Sequence, residues 1–272
     1  MSDHCGPGAV SPVLYGVEGD WLPVAAGESD ASVFRAADAT RYAKCVPTAD
    51  AAGLEAERDR IVWLSGQGVP GPRVLDWYAG DAGACLVTRA VTGVPADQVR
   101  AEDLRAAWGH IADAVRRLHE VAVASCPFRR GLDSVVDVAR DVVARDAVHS
   151  EFLPTEQRRV PPAELLARLA GEVPRRRDQE AADTVVCHGD LCLPNIILDP
   201  ESLEVSGFID LGRLGAADRH ADLALLLANA RETWVDEERA RVADAAFAER
   251  YGIAPDLERL RFYLHLDPLT WG

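Results

Sequence analysis

The hydrophobic pattern of this chain changes period close to residue 90, and that change limits the fold more than any other feature. Before it come short β-like runs: WLPVA (21–25), SVFRA (32–36) and RYAKCV (41–46), separated by the turn material AGESDA and ADAT. ADAAGLEAERDRIVWLSGQG (49–68) reads as one helix, with Leu54, Ile61 and Leu64 at helical spacing and Gly66 and Gly68 at its end. RVLDWYAG (73–80) and GACLVTRA (83–90) form a predicted hairpin, and VTGVPA (91–96) reads as a linker. After the linker the period becomes helical. AEDLRAAWGHIADAVRRLHEVA (101–122) places Leu104, Trp108, Ile111, Val115 and Leu118 on one face. Helices are predicted at 134–148, 162–173, 218–234, 236–252 and 256–266, around short strands at 184–188, 195–199 and 204–212. The expected fold class is α+β in two lobes: a small β-rich N-lobe over 1–90 and a larger, mainly helical C-lobe over 91–272. A cleft between lobes is a natural ligand site.

Composition narrows the function classes. No apolar run is long enough to span a bilayer, and the N-terminus MSDHCGPG has neither a basic nor an apolar signal region. Six scattered cysteines favour free thiols in a reducing cytoplasm. The net charge of −15 argues against binding a nucleic-acid backbone and suits a cationic small substrate. Of the 29 basic side chains, one is lysine, Lys44, in the run RYAKCV. A bias toward arginine erases lysines that supply only charge. It spares one whose slim ammonium does what a planar fork cannot.

The densest chemical signal is VVCHGDLCLPNIILDPESLEVSGFIDLGR (185–213). Asp190 follows a β-like run, Asn195 opens the next strand, and Asp210 ends a third before Gly212. Phosphoryl transfer from a nucleoside triphosphate needs such a set: one carboxylate to orient and deprotonate a hydroxyl, and a carboxylate with an amide oxygen to hold Mg²⁺ on the phosphates. Asp190 is the candidate base, with Asn195 and Asp210 as candidate metal ligands. A rival zinc site on Cys187, His188 and Cys192 fails, because adjacent strand residues face opposite ways and no second Cys/His pair completes four ligands. His188 instead reads as a support beneath Asp190.

The motif HGD-x4-N followed by IDLG resembles the catalytic and metal loops of the aminoglycoside phosphotransferases, relatives of the protein kinases. The resemblance runs from AGES to FYLHLDPLTWG. CHGDLCLPN, GFIDLGRLGAADRHADLALLLAN and LDPLTWG are most similar to the streptomycin 3''-phosphotransferases. The resemblance implies a protein-kinase-like fold, ATP and Mg²⁺, and a cationic aminoglycoside as partner, with no nucleic acid, membrane or obligatory protein partner. It implies that Lys44 binds the α- and β-phosphates, held by Glu57 rather than Glu55. Ser29 falls in the loop that covers the nucleotide, though Gly27 is the only glycine there. Backbone groups around Thr88 and Ala90 face the adenine edge. Glu232 and Asp267, with Trp271 as a stacking surface, are candidate substrate contacts, while Asp218 and Asp222 brace the catalytic loop. Relatives end in a glutamate and an aromatic carboxyl-terminal residue, and this chain has Pro268, Thr270 and Trp271-Gly272 instead. Two other classes fit the same motifs: a kinase of another small alcohol (choline, homoserine or a macrolide), and a nucleotide-binding pseudokinase.

Overall fold

The computed structural model describes residues 12–24 and 31–272, so Ser29 and Gly27 lie outside the described residues. Contacts divide the chain into two units, 1–93 with 206–212, and 94–205 with 213–272. A single boundary at residue 90 does not express this division, because the chain re-enters the first unit at 206 and leaves it after 212.

In the first unit the β-like runs form strands, and the expected hairpin of 73–80 with 83–90 is present. β1 (Trp21–Pro23), β2 (Ser32–Ala36), β3 (Arg41–Val46), β4 (Arg73–Gly80) and β5 (Gly83–Arg89) form an antiparallel sheet in the order β1-β2-β3-β5-β4. The hairpin between β4 and β5 closes at Gly83, whose φ of +126° no side chain tolerates; a Cβ there would meet the Val46 carbonyl oxygen at 2.1 Å. α1 (Ala51–Ser65) buries Leu54, Ile61 and Leu64, and on the same face it buries Glu57. A carboxylate on an apolar helix face is costly without a partner, so the sheet must supply one.

The second unit is mainly helical. α2 (Ala101–His119) buries all five side chains of the predicted apolar face, each contributing about 1.5–3 kcal/mol of transfer free energy. Four further helices, α3 (Leu132–Ala144), α4 (Pro162–Ala170), α5 (Val173–Asp183) and later α6 (Arg219–Arg231), are joined by α7 (Glu237–Tyr251) and α8 (Leu257–Leu266). The largest core cluster gathers Leu132, Val136, Leu165, Leu169, Phe262 and Leu266. β6 (Val94–Pro95) pairs with β8 (Ile196–Leu198), so the segment read as a linker carries a short strand. β7 (Thr184–Cys187) pairs antiparallel with β10 (Gly215–Asp218), and β9 (Val205–Phe208) carries the chain back toward the first unit.

Two elements escaped the sequence reading. α5 (VPRRRDQEAAD) has no aliphatic stripe; its buried anchor is Arg176, 1% exposed, which donates to Glu172 and Gln179 and lies over the Phe262 ring. β10 consists of small residues buried on both faces, which gives no alternation to read. No helix among the described residues is long and apolar enough to cross a membrane.

Candidate active site

Strand alternation explains how Lys44 is presented. Ala43 and Cys45 point into one face of the sheet and are buried. Lys44 points the other way, with Val33 and Leu86 opposite it on the neighbouring strands. Its Nζ donates to Glu57 Oε2 at 2.8 Å and to Asp210 Oδ1 at 3.2 Å. The partner that buried Glu57 requires is therefore the chain's single lysine. Burial disfavours the ammonium, but the charges of Glu57 and Asp210 outweigh it and raise the Lys44 pKa. For Glu57 burial is the larger influence and raises its pKa, with Lys44 acting in the opposite direction. Glu55 instead accepts from Arg58 on the exposed side of α1.

Asp210 reaches Lys44 because the returning segment 206–212 belongs to the first unit. Phe208 N–H donates to Pro70 C=O at 3.1 Å, which fixes the segment beside the loop before β4. Asp210 has φ +58°, a left-handed backbone that aspartate adopts more readily than most residues but at a cost. Its carboxylate stays half exposed, with one oxygen on Lys44.

In the second unit the His188-Gly189-Asp190 turn follows β7. Gly189 has φ +86°, and a Cβ there would lie 2.2 Å from the Arg213 carbonyl oxygen, so the middle residue of the turn must be glycine. The turn's backbone hangs from Asp222 of α6. His188 N–H donates to Asp222 Oδ2 at 2.6 Å, and Gly189 N–H to Oδ1 at 2.8 Å. Asp222 is wholly buried, which alone would raise its pKa; the hydrogen bond and charge of His119 and the Gly189 N–H hold it below the usual range. His119 bridges Asp222, at 3.1 Å, and Tyr251 Oη, at 2.6 Å. Asp190 N–H donates to His188 Nδ1 at 3.3 Å, the supporting contact expected of His188.

Asn195 closes the loop onto Asp190. Its Nδ2 donates to the Asp190 carbonyl at 2.9 Å and to Asp190 Oδ2 at 3.1 Å, while Leu193 N–H donates to Asn229 Oδ1 at 2.8 Å. With its nitrogen so committed, Asn195 presents its amide oxygen as the remaining group. An amide oxygen and a half-exposed aspartate are the hard donors that Mg²⁺ takes, so Asn195 and Asp210 fit such an ion in their chemistry. His119, Cys187 and Asp222 also bring ligand atoms within 4.8 Å of one another. Asp222 is filled by the loop N–H groups and His119, and the Cys187 thiol donates to the Asp218 carbonyl at 3.4 Å. That cluster is a hydrogen-bonded core.

The other predicted site residues fall as follows. Thr88 lies in β5, between β3 and β4, opposite Tyr42 and Val74, and Ala90 N–H donates to Thr40 C=O at 2.9 Å. Asp267 accepts from Arg213, at 3.2 Å, and from Trp271 Nε1, at 3.0 Å, with Arg130 at 3.6 Å. The Arg213 guanidinium lies 3.6 Å above the Trp271 ring. Asp267 and Trp271 thus meet, around an arginine, while Glu232 caps α6 at an exposed position. Asp222 braces the loop as expected. Asp218 does not: it binds the His220 N–H, Arg259 and Tyr263 Oη. His119, Tyr251 and Asn229 carried no signal in the sequence, because each acts through a partner far away in the chain.

A family profile described as the phosphotransferase enzyme family matches residues 20–263. A streptomycin 3''-kinase of Streptomyces griseus is 89% identical over 272 residues, covering the whole of both chains. An aminoglycoside 3'-phosphotransferase of Streptomyces fradiae is 42% identical, covering 91% of this chain and 94% of the relative. Among solved structures, the aminoglycoside phosphotransferase APH(3'')-Id of Streptomyces rimosus, in complex with ADP and streptomycin, superposes with a TM-score of 0.91 at 63% identity. It covers 96% of this chain and 97% of that one. The α+β fold is accordingly of the protein-kinase-like type expected from the sequence.

Proposed function

The chain belongs to the phosphotransferase enzyme family, and from that membership we propose that it transfers the γ-phosphate of ATP to the 3''-hydroxyl of streptomycin. The observation that carries the choice of substrate is the 89% identity, end to end, with the S. griseus streptomycin 3''-kinase. The product has gained a dianionic group on a cation that must bind RNA, so the antibiotic loses charge complementarity with its target. Resistance is the consequence.

In this reading the first unit binds the nucleotide and the second carries the acceptor chemistry. Lys44, aimed by Glu57, places one slim ammonium against the α- and β-phosphates. Thr88 and Ala90 border the adenine, Ala90 through its carbonyl because its N–H is already donated to Thr40. Ser29, outside the described residues, is the proposed phosphate contact. Asp190 takes the proton of the attacking hydroxyl, and its carboxylate is aimed by the Asn195 amide and by the loop that Asp222 suspends. Asn195 and Asp210 would hold Mg²⁺, which would neutralise charge on the phosphates. Glu232, Asp267 and Trp271 are the substrate-side contacts. Asp267 and Trp271 already hold a guanidinium, that of Arg213, between carboxylate and ring, which is the chemistry a guanidino sugar presents. A cytoplasmic location suits an enzyme that uses ATP and keeps its described cysteines free.

The test is mass spectrometry of streptomycin incubated with enzyme and Mg·ATP, followed by ³¹P-coupled NMR to locate the phosphate. Addition of one phosphoryl group at the 3'' oxygen is expected. Unmodified streptomycin, or phosphate at another oxygen, would overturn the assignment.

A further inference from the structure

Behind Lys44, on the opposite face of the same sheet, two nucleophilic side chains face each other that the phosphoryl-transfer chemistry does not use. Cys45 of β3 and Cys85 of β5 are directly paired in the antiparallel register. The Cys45 thiol donates to Cys85 Sγ at 3.0 Å. Both are buried, in a cluster with Val17, Ala43 and Val87 that Tyr15, Trp21, Phe34 and Tyr78 cover. Directly opposed residues in an antiparallel pair have Cα atoms about 4.5 or 5.5 Å apart, inside the range of about 4.4–6.8 Å that a disulfide spans. The sulfurs need to approach by only about 1 Å to reach bonding distance. The backbone on both sides is already fixed by the sheet, so closing the bond asks little of it.

We propose that Cys45 and Cys85 are a dithiol that closes to a disulfide on reaction with a two-electron oxidant of the peroxide class. The hydrogen bond from Cys45 favours Cys85 as the thiolate, because the donated proton stabilises charge on the accepting sulfur. The Cys85 sulfur attacks one peroxide oxygen, the O–O bond breaks, and the leaving oxygen departs as water with a proton. The sulfenic acid left on Cys85 is then attacked by Cys45. The S–S bond forms as the S–O bond breaks, and a second water leaves. Two thiols lose two electrons, and hydrogen peroxide takes them up. The product ties β3 to β5 one residue from Lys44 and closes a chain separation of 40 residues, which restricts the unfolded chain and raises the midpoint of thermal unfolding.

The test uses the full chain in native buffer, treated with hydrogen peroxide, alkylated, and digested with trypsin without reduction. Cleavage after Lys44 yields peptide 45–58, and cleavage at arginines yields 74–89, each with one cysteine. The expected product is these two peptides joined and lighter by two hydrogens, with a raised unfolding midpoint that dithiothreitol reverses. Cys45→Ser and Cys85→Ser should each abolish the joined product. Phenylarsine oxide tests the pair without oxidation. It takes two neighbouring thiols with loss of one water, so the reduced wild-type chain should carry one arsenical bridging 45–58 and 74–89. This decides the matter should a serine variant fail to fold. Separate alkylation of the two peptides after complete oxidation, or their joining to other cysteine peptides instead, would overturn the proposal. So would an arsenical that bridges them only in denaturant.

Discussion

Replacing Lys44 with methionine keeps an unbranched stem in β3 and removes the ammonium that Glu57 accepts from. Glu57 is 7% exposed, so the folded variant must either bury a bare carboxylate or protonate it. Protonation is the cheaper course. At about 1.36 kcal/mol per pH unit, neutralising a carboxyl of ordinary pKa near 4.3 costs about 3.7 kcal/mol at pH 7. That ceiling falls within the roughly 3–5 kcal/mol seen when one partner of a buried pair is removed. Arg60 still favours the charged form of Glu57, so the expected loss at pH 7 is about 2–4 kcal/mol. Asp210 adds little, since its half-exposed carboxylate returns to water.

The sign with pH follows from proton counting. In the variant, native Glu57 holds a proton that the unfolded chain releases above about pH 4.3, so its stability falls as pH rises, by up to about 1.4 kcal/mol per unit. The gap between wild type and variant should therefore be widest near pH 8 and shrink toward about pH 5. Urea unfolding followed by tryptophan fluorescence across that range measures it. The double variant Lys44→Met/Glu57→Gln should regain most of the loss and show no such slope. A loss that does not change with pH, or one under about 1 kcal/mol at pH 7, would refute Glu57's dependence on Lys44.

Three further outcomes are expected. Asp190→Asn should lower kcat by about 10²–10⁴ with ATP affinity retained; turnover close to wild type would remove Asp190 from the role of base. Lys44→Arg should lower kcat/KM for ATP, because a planar fork cannot keep the Nζ contacts to both Glu57 and Asp210; unchanged steady-state kinetics would contradict this. Asp222→Asn places an amide donor among loop N–H groups and should reduce kcat while leaving KM for ATP unchanged; hydrogen exchange at Gly189 should quicken, and an unaltered rate there would argue against suspension of the loop by Asp222.

What could be read from the sequence was set by the range of the interactions involved. Asn195 lies five residues from Asp190, so the motif that names them also contains their contact. The apolar face of α2 was legible because five side chains repeat at helical spacing and all are buried. Glu57 was not separable from Glu55 by periodicity alone. The choice depends on which turns inward, and Glu57 falls on the Leu54–Ile61 face. The chain from Tyr251 through His119 to Asp222 joins residues more than a hundred apart, and no local pattern announces it. α5 was missed for a different reason: its anchor is an arginine buried by ion pairing and ring contact, a residue type that reads as surface. Asp218 and Asp222 sit four residues apart on one motif, yet one binds the loop and the other Arg259 and Tyr263. Identity and spacing are the same for both; the partners differ.

The return of residues 206–212 to the first unit has a consequence for biosynthesis. A ribosome that has released residue 93 has produced the whole sheet and α1, but not the segment that packs at Pro70 or the Asp210 carboxylate that meets Lys44. At roughly 5–20 residues per second, residue 212 emerges about 6–24 s later. During that interval Lys44 lacks its Asp210 contact, and the loop before β4 lacks the bond from Phe208 N–H to Pro70 C=O. The first unit to be made is therefore among the last to be finished, and a fragment ending at residue 93 would be an arrested folding intermediate rather than a domain.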